Sequence, residues 1–249
     1  MAVSFLSKWS RSRRSWVVLT IAVTAAVIAS SPWWWRGMRF DHAAEARVRV
    51  APTLDAGLRA LGSSLGAPVF IRIFKQPAVL ELWARTPHEY ALFKQYPICR
   101  VSGTLGPKTA QGDSQAPEGL YTVGLDQLNP RSRFYLALNL GYPNLFESTR
   151  GWTGSALMIH GACVSIGCYA MGDDAIAEIY TAVSAALHAG QESVPVHAFP
   201  FPLDEHHLAQ HAQSPSYAYW QELVTAYRVF EHTHVPPRIV VSAQGYTVL

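Results

Sequence analysis

His160 and Cys168 stand eight residues apart in the stretch "LMIHGACVSIGC" (157–168), and their side chains are the ones in this chain best suited to nucleophilic chemistry. A thiol with a pKa of about 8.5 is mostly protonated at neutral pH, so a nucleophilic cysteine needs a base, a positive charge or a helix N-terminus beside it. This stretch offers two of those. An apolar run ending at His160 reads as a strand, and Gly161 and Gly167 permit a tight turn that folds the imidazole back onto Cys168. The following "GDDAIAEIYTAVSAALH" (172–188) reads as a helix capped by Asp173 or Asp174, whose positive end favours a thiolate at Cys168. The backbone N–H groups of Gly167 and Cys168 are candidate oxyanion donors. These parts add up to an acyl-transfer site. Two plainer readings compete: an inert buried thiol, and a zinc clip from His160, Cys163 and Cys168, which has an unusual spacing and no fourth ligand.

The elements that must hold these residues belong to a chain of 249 residues, 49% apolar and 12% aromatic, enough for one substantial core and too apolar for a disordered chain. The net charge of +3 is mild and concentrated near the start, which argues against nucleic acid as a partner. Lys8, Arg11, Arg13 and Arg14 precede an uncharged segment, 16–35, ending in Trp33, Trp34 and Trp35. Such a segment is a secretory signal or a single-pass anchor, and the lack of a clean A-x-A site ahead of the tryptophans favours the anchor. Either way the domain that follows is expected outside the cytoplasm: periplasmic, secreted or tied to the inner membrane. Three cysteines in an oxidising compartment allow one pair and leave one over.

The chain divides into a signal or anchor (1–36), a linker or short helix (37–67), a main domain (68–200) and a C-terminal extension packed on the core (201–249). Strand character appears at 68–74, 78–84, 96–103, 119–124, 133–140, 156–160 and 194–201, with a hairpin around Lys75 to Pro77. Helical periodicity appears at 172–188 and 217–232, and a last extended segment closes the chain. The fold class is therefore α+β, rich in sheet, with a helix just after Cys168 and a helical C-terminal extension.

"TGSALMIHGACVSIGCYAMGDDAIAEIY" (153–180) resembles the signature of the L,D-transpeptidase (YkuD-type) catalytic domain, and its YafK-like subgroup in particular. "GTLGPKTAQGDSQAPEGLYTV" (103–123) and "NLGYPN" (139–144) are similar to two further blocks of that family, in the same order. The similar blocks cover roughly residues 68 to 200. The resemblance implies a β-sandwich catalytic core in which Cys168 is acylated, His160 takes the thiol proton and the backbone carbonyl of Gly161 orients the imidazole. It implies peptidoglycan as partner, through diaminopimelate-containing stem peptides, with no cofactor and no metal.

Two departures from the commoner family pattern bear on the acceptor. The gap between histidine and cysteine is short, with Ile166 where a second histidine usually stands, and Tyr169, Ala170 and Met171 replace the Arg or Asn that commonly follows the cysteine. The subgroup with the short loop resembles amidases that release a peptidoglycan-bound lipoprotein by cutting between diaminopimelate and a lysine side chain. That places hydrolysis ahead of cross-link formation or protein attachment. A non-catalytic peptidoglycan-binding module is the alternative of another class.

With Cys168 as nucleophile, Cys99 and Cys163 either pair with each other or pack as small apolar residues. A Cys163–Cys168 bond would block the site. Lys108, Asp113 and Glu118 are candidates to position the charged stem peptide, with a solvated loop as the competing reading. Ser165 either bonds the catalytic loop or contacts the donor, and Tyr121 lines the cleft or the core. His207 and His211, four apart, lack an HExxH partner, and "GTLGPKT" fails as a phosphate loop because Pro107 removes a needed N–H.

Overall fold

The computed structural model describes residues 41–249. The signal or anchor expected at 1–36, including 16–35, lies outside the described residues. The first described element is α1 (His42–Ala60), where a linker or short helix was expected. The Asp41 carboxylate accepts the N–H groups of Ala43 and Ala44, both at 3.1 Å, and caps it. Ala46, Val50, Leu54 and Leu58 recur every four residues and are buried as one stripe. The intervening arginines and Pro52 mask that stripe in a linear reading.

Sheet A runs in the order β3 (Tyr90–Pro97), β2 (Val79–Arg85), β1 (Val69–Phe74), β10 (Val194–Phe199), β5 (Gly119–Val123). β1 is parallel to β10 and antiparallel to β2, and it is buried on both faces. That accounts for its unbroken apolar run "VFIRIF", interrupted only by Arg72, which is paired with Glu81 at 2.7 Å. Sheet B runs β4 (Arg100–Val101), β9 (Tyr169–Ala170), β8 (Met158–His160), β7 (Tyr135–Asn139), β6 (Leu128–Ser132). The strand expected at 96–103 is in fact split: β3 ends at Pro97 and only Arg100 and Val101 pair onward, with β9. β6 is largely polar, and in β3 only Tyr90 and Tyr96 are buried, so neither shows the apolar pattern of a core strand.

The main core is shared by both sheets, α1 and α3 (Asp173–His188), which follows the short helix α2 (Leu145–Thr149): Ile71, Ile73 and Val196 of sheet A meet Leu138 and Ile159 of sheet B and Ile179 and Val183 of α3. A second core covers the other face of sheet A, where Phe74, Leu120 and Phe199 pack against Trp220, Leu223 and Tyr227 of the helix Tyr217–Thr233. The last extended segment is a hairpin, Ile239–Ser242 with Gly245–Val248. The architecture is thus the α+β arrangement of two packed sheets with flanking helices.

Candidate active site

β8 and β9 are parallel neighbours, with Ile159 opposite Tyr169 and His160 opposite Ala170. One residue back, Cys168 stands opposite Met158. Side chains alternate along a strand, so His160, Met158 and Cys168 project from the same face. Two residues along and one strand across corresponds to roughly 8 Å between the Cα atoms of His160 and Cys168. The seven-residue loop that looks like a spacer therefore returns the chain to the strand beside its own start.

His160 is 1% exposed, and its ring stacks on Phe134 with centroids 4.7 Å apart. Its Nδ1 lies 2.6 Å from the Gly161 carbonyl oxygen. A carbonyl can only accept, so Nδ1 carries the proton and Nε2 presents its lone pair. That carbonyl is clamped. The Gly161 N–H donates to Leu136 O at 3.1 Å, and a Cβ built on Gly161 would lie 2.6 Å from both the Phe134 carbonyl oxygen and the Asp173 carboxylate. Only glycine fits so close a backbone approach.

Three anchors hold the loop from 161 to 167. Cys163 is joined by a disulfide to Cys99, with Cα atoms 5.5 Å apart. The Ala162 N–H donates to Asp173 Oδ1 at 2.7 Å, and the Gly172 N–H to Ala162 O at 2.8 Å. Ser165 Oγ accepts the Cys168 N–H at 2.8 Å and the Ser102 hydroxyl at 2.6 Å, and donates to Cys168 O at 2.8 Å. A hydroxyl has one proton and two acceptor sites, so Ser165 is fully used within the loop and has none left for a ligand. The same bond occupies the Cys168 N–H expected as an oxyanion donor. Among the described residues the Gly167 N–H has no such partner.

Cys168 is a free thiol, half-buried, with its Sγ 3.7 Å from the Ala156 carbonyl oxygen. Burial pushes its pKa up, and the Met158 N–H and the Lys108 ammonium pull it partly back. Burial likewise pushes the His160 pKa down, against the pull of the Gly161 carbonyl. The resting pair is therefore neutral thiol and neutral imidazole, and the proton moves when a substrate is attacked. The expected help from the helix is not built in: β9 lies between Cys168 and α3, and Gly172, not an aspartate, is the N-cap. Asp173 serves the Ala162 N–H instead.

The other candidates separate clearly. Lys108 is 3% exposed and donates to Ala110 O at 2.9 Å and to Asp113 at 2.5 Å. Burial opposes the Asp113 charge, but Lys108 and the N–H groups of Ala110, Gln115 and Thr109 hold its pKa down at about 2. Both belong to the loop beside Cys168. Glu118 and Tyr121 do not face it from solvent: Glu118 is 0% exposed and bonded to Lys75 (3.0 Å), Gly106 N–H and Trp220 Nε1, and Tyr121 donates to the buried Glu147 at 2.5 Å. They are core groups because their partners come from distant segments, which local sequence does not display. Phe134, Asp173 and Ser102 had no signal of function in the sequence, and each touches the 161–167 loop or His160.

No family model matches the chain. Among curated proteins it is 44% identical over 184 residues to "Putative L,D-transpeptidase YafK" of Escherichia coli strain K12, covering 74% of this chain and 75% of that protein. The same match recurs in Escherichia coli O157:H7. Solved structures with distant likeness include the helical cell shape determining protein Pgp2 of Campylobacter jejuni, at 16% identity and TM-score 0.43, covering 76% of this chain and 80% of that one. Another is Bd1075 of Bdellovibrio bacteriovorus, at 19% identity and TM-score 0.38, covering 66% and 58%.

Proposed function

The chain belongs to the L,D-transpeptidase family, and we propose that it is a cysteine-dependent acyl-transfer enzyme that hydrolyses the amide between diaminopimelate of a peptidoglycan stem and the lysine side chain of a bound lipoprotein. The observation that carries the chemistry is the clamp of His160 Nδ1 on the Gly161 carbonyl, beside a free Cys168 on the same face of the sheet. His160 Nε2 takes the thiol proton as Sγ attacks the carbonyl carbon. The carbonyl oxygen becomes an oxyanion, for which the Gly167 N–H is the free backbone donor. Collapse breaks the C–N bond, and the proton on Nε2 passes to the leaving amine. Water then gives a proton to His160 and its oxygen to the thioester, so that a carboxylate and the thiol are regenerated.

The compartment in this reading is the periplasm, with residues 16–35 as signal or inner-membrane anchor. The Cys99–Cys163 disulfide supports it, since such bonds persist outside the reducing cytoplasm. Hydrolysis is preferred over transpeptidation because no cationic residue lies between 151 and 172 to hold the carboxylate of an incoming amino-acid acceptor.

Mass spectrometry of purified full-length protein with peptidoglycan still carrying its lipoprotein tests this, wild type against Cys168→Ala. Release of lipoprotein by wild type alone is the expected result. New diaminopimelate cross-links or D-amino-acid exchange would instead make the protein a transpeptidase. Neither product, with Cys168 unmodified by a carbapenem-type β-lactam, would leave a binding module.

A further inference from the structure

His160 Nδ1 and Asp173 Oδ1 are bonded to opposite sides of one peptide unit. The unit between Gly161 and Ala162 accepts the Nδ1–H through the Gly161 carbonyl oxygen at 2.6 Å, and its own N–H, that of Ala162, donates to Asp173 Oδ1 at 2.7 Å. An amide whose N–H is held by an ionised carboxylate is polarised, and its oxygen becomes a stronger acceptor. In a Ser-His-Asp triad the aspartate touches the Nδ1–H directly. Here a carboxylate stands behind the same proton with one peptide in between.

The arrangement is fixed from both chains that form it. Beyond the paired β8 and β9 they continue side by side: the Met171 N–H donates to His160 O and the Gly172 N–H to Ala162 O, both at 2.8 Å. Gly172, with φ +79°, then turns the chain into α3 and sets Asp173 at its first position, where the helix N-terminus favours the ionised carboxylate. Ala162 has φ +55°, a left-handed conformation that its Cβ disfavours. The 161–162 peptide therefore depends on these bonds to keep its orientation.

Burial lowers the His160 pKa and the bond to the Gly161 carbonyl raises it, and among the described residues no charged side chain is bonded to the ring. The charged groups on the surrounding elements are engaged elsewhere or face water: Lys108 with Asp113, Asp174 with Arg49, and the exposed Arg131 and Arg133 of the β6–β7 turn. The remaining titratable neighbour is the Cys168 thiol itself. Asp173 is thus the carboxylate connected to the imidazole, and the connection runs through the backbone.

We infer that Asp173 is a positioning residue for the general base: through the 161–162 peptide it holds His160 in the Nδ1–H tautomer and stabilises the imidazolium formed when Nε2 takes the thiol proton. The inference rests on the acyl-transfer reading of Cys168 and His160 and deepens it.

The test follows acylation of Cys168 by a carbapenem-type β-lactam, read by intact mass as a function of pH, in full-length wild type, Asp173→Asn, Asp173→Ala and Asp174→Asn. Asp173→Asn keeps an oxygen acceptor for the Ala162 N–H and removes the charge. It is expected to hold the rate at neutral pH within about threefold and to lower the pH midpoint by about half a unit, because a neutral acceptor polarises the peptide less and leaves the imidazolium less stable. Asp173→Ala frees the peptide and is expected to slow acylation about a hundredfold, the scale of a 1 Å misplacement. Asp174→Asn removes the same charge from the same helix end without touching the peptide, and is expected to change neither rate nor midpoint. Thermal melts check that each variant is folded. A wild-type midpoint in Asp173→Asn, a wild-type rate in Asp173→Ala, or an equal shift in Asp174→Asn overturns the role of Asp173 alone. If wild type itself is not acylated at any pH, the acyl-transfer reading fails and the inference falls with it.

Discussion

The Nδ1 of His160 and the carbonyl oxygen of Gly161 are 2.6 Å apart, so the group that orients the imidazole is the peptide that follows it in the chain. An aspartate or asparagine performs this task in many histidine-dependent sites. Here the orienting group needs no side chain, but it demands that the backbone of Gly161 be held still, and it is, by Leu136 and by the tight approach of Phe134 and Asp173.

Gly161→Ala is expected to push this peptide out of place, because the new Cβ would sit 2.6 Å from the Phe134 carbonyl oxygen and the Asp173 carboxylate. The overpacking costs about 1–3 kcal/mol of stability. A shift of the orienting carbonyl by 1 Å lowers kcat/KM about a hundredfold. Thermal melts and the rate of carbapenem acylation measure the two effects separately. A variant that melts lower but acylates at the wild-type rate would show that the carbonyl is not what orients the base.

The proposed mechanism requires neutral His160, whose pKa burial lowers from its ordinary 6.5. The rate is therefore expected to rise with pH through a midpoint below 6.5. The raised Cys168 pKa means that the thiolate forms only in alkaline solution. Iodoacetamide alkylation of Cys168, followed by mass spectrometry, should accelerate only there. In Lys108→Met the nearby positive charge is gone, and that alkylation midpoint moves further up.

The Cys99–Cys163 bond closes a loop with a sequence separation of 64 residues. The chain-entropy account assigns such a closure about 4 kcal/mol at 25 °C. For a domain of this size the double variant Cys99→Ser/Cys163→Ser is expected to melt roughly 10 °C lower. Calorimetry measures this directly. A parallel fall in acylation rate at a temperature where the variant is still folded would show that the bond also holds the loop in its working shape.

Glu118→Gln separates a buried structural carboxylate from a substrate contact. Glu118 accepts bonds from Gly106 and Trp220 as well as the ammonium of Lys75, tying the 103–118 loop to both sheet A and the C-terminal helix. Stranding the Lys75 charge costs about 3–5 kcal/mol. Denaturant unfolding is expected to register that loss. A change confined to KM, with stability intact, would return Glu118 to the list of substrate contacts.

Much of this was legible in one dimension because it depends on near neighbours. The strands of β1, β2, β5 and β10 follow from apolar runs bounded by turn residues, and α3 and the C-terminal helix follow from their periodicity. His160 and Cys168 are close in sequence, so their residue types suggested base and nucleophile, while the orienting role of the Gly161 carbonyl came only with the family resemblance. α1 was less visible because only one residue in four is buried and its charged faces dominate the composition. β3 and β6 are edge strands, whose half-exposed sequences carry little apolar pattern.

Other properties depend on which distant segments meet, and no local pattern encodes that. Glu118 and Tyr121 resemble cleft residues until Trp220, Lys75 and Glu147 are brought against them from elsewhere in the chain, at which point desolvation makes them core. Phe134 becomes a floor for His160 only through the pairing of β7 with β8. Ser165, which could have touched substrate, has its hydroxyl used up by Ser102 and the Cys168 backbone. Residue type sets which chemistry a side chain can perform. Burial and hydrogen-bond partners, which arise from long-range packing, set whether that side chain is free to perform it.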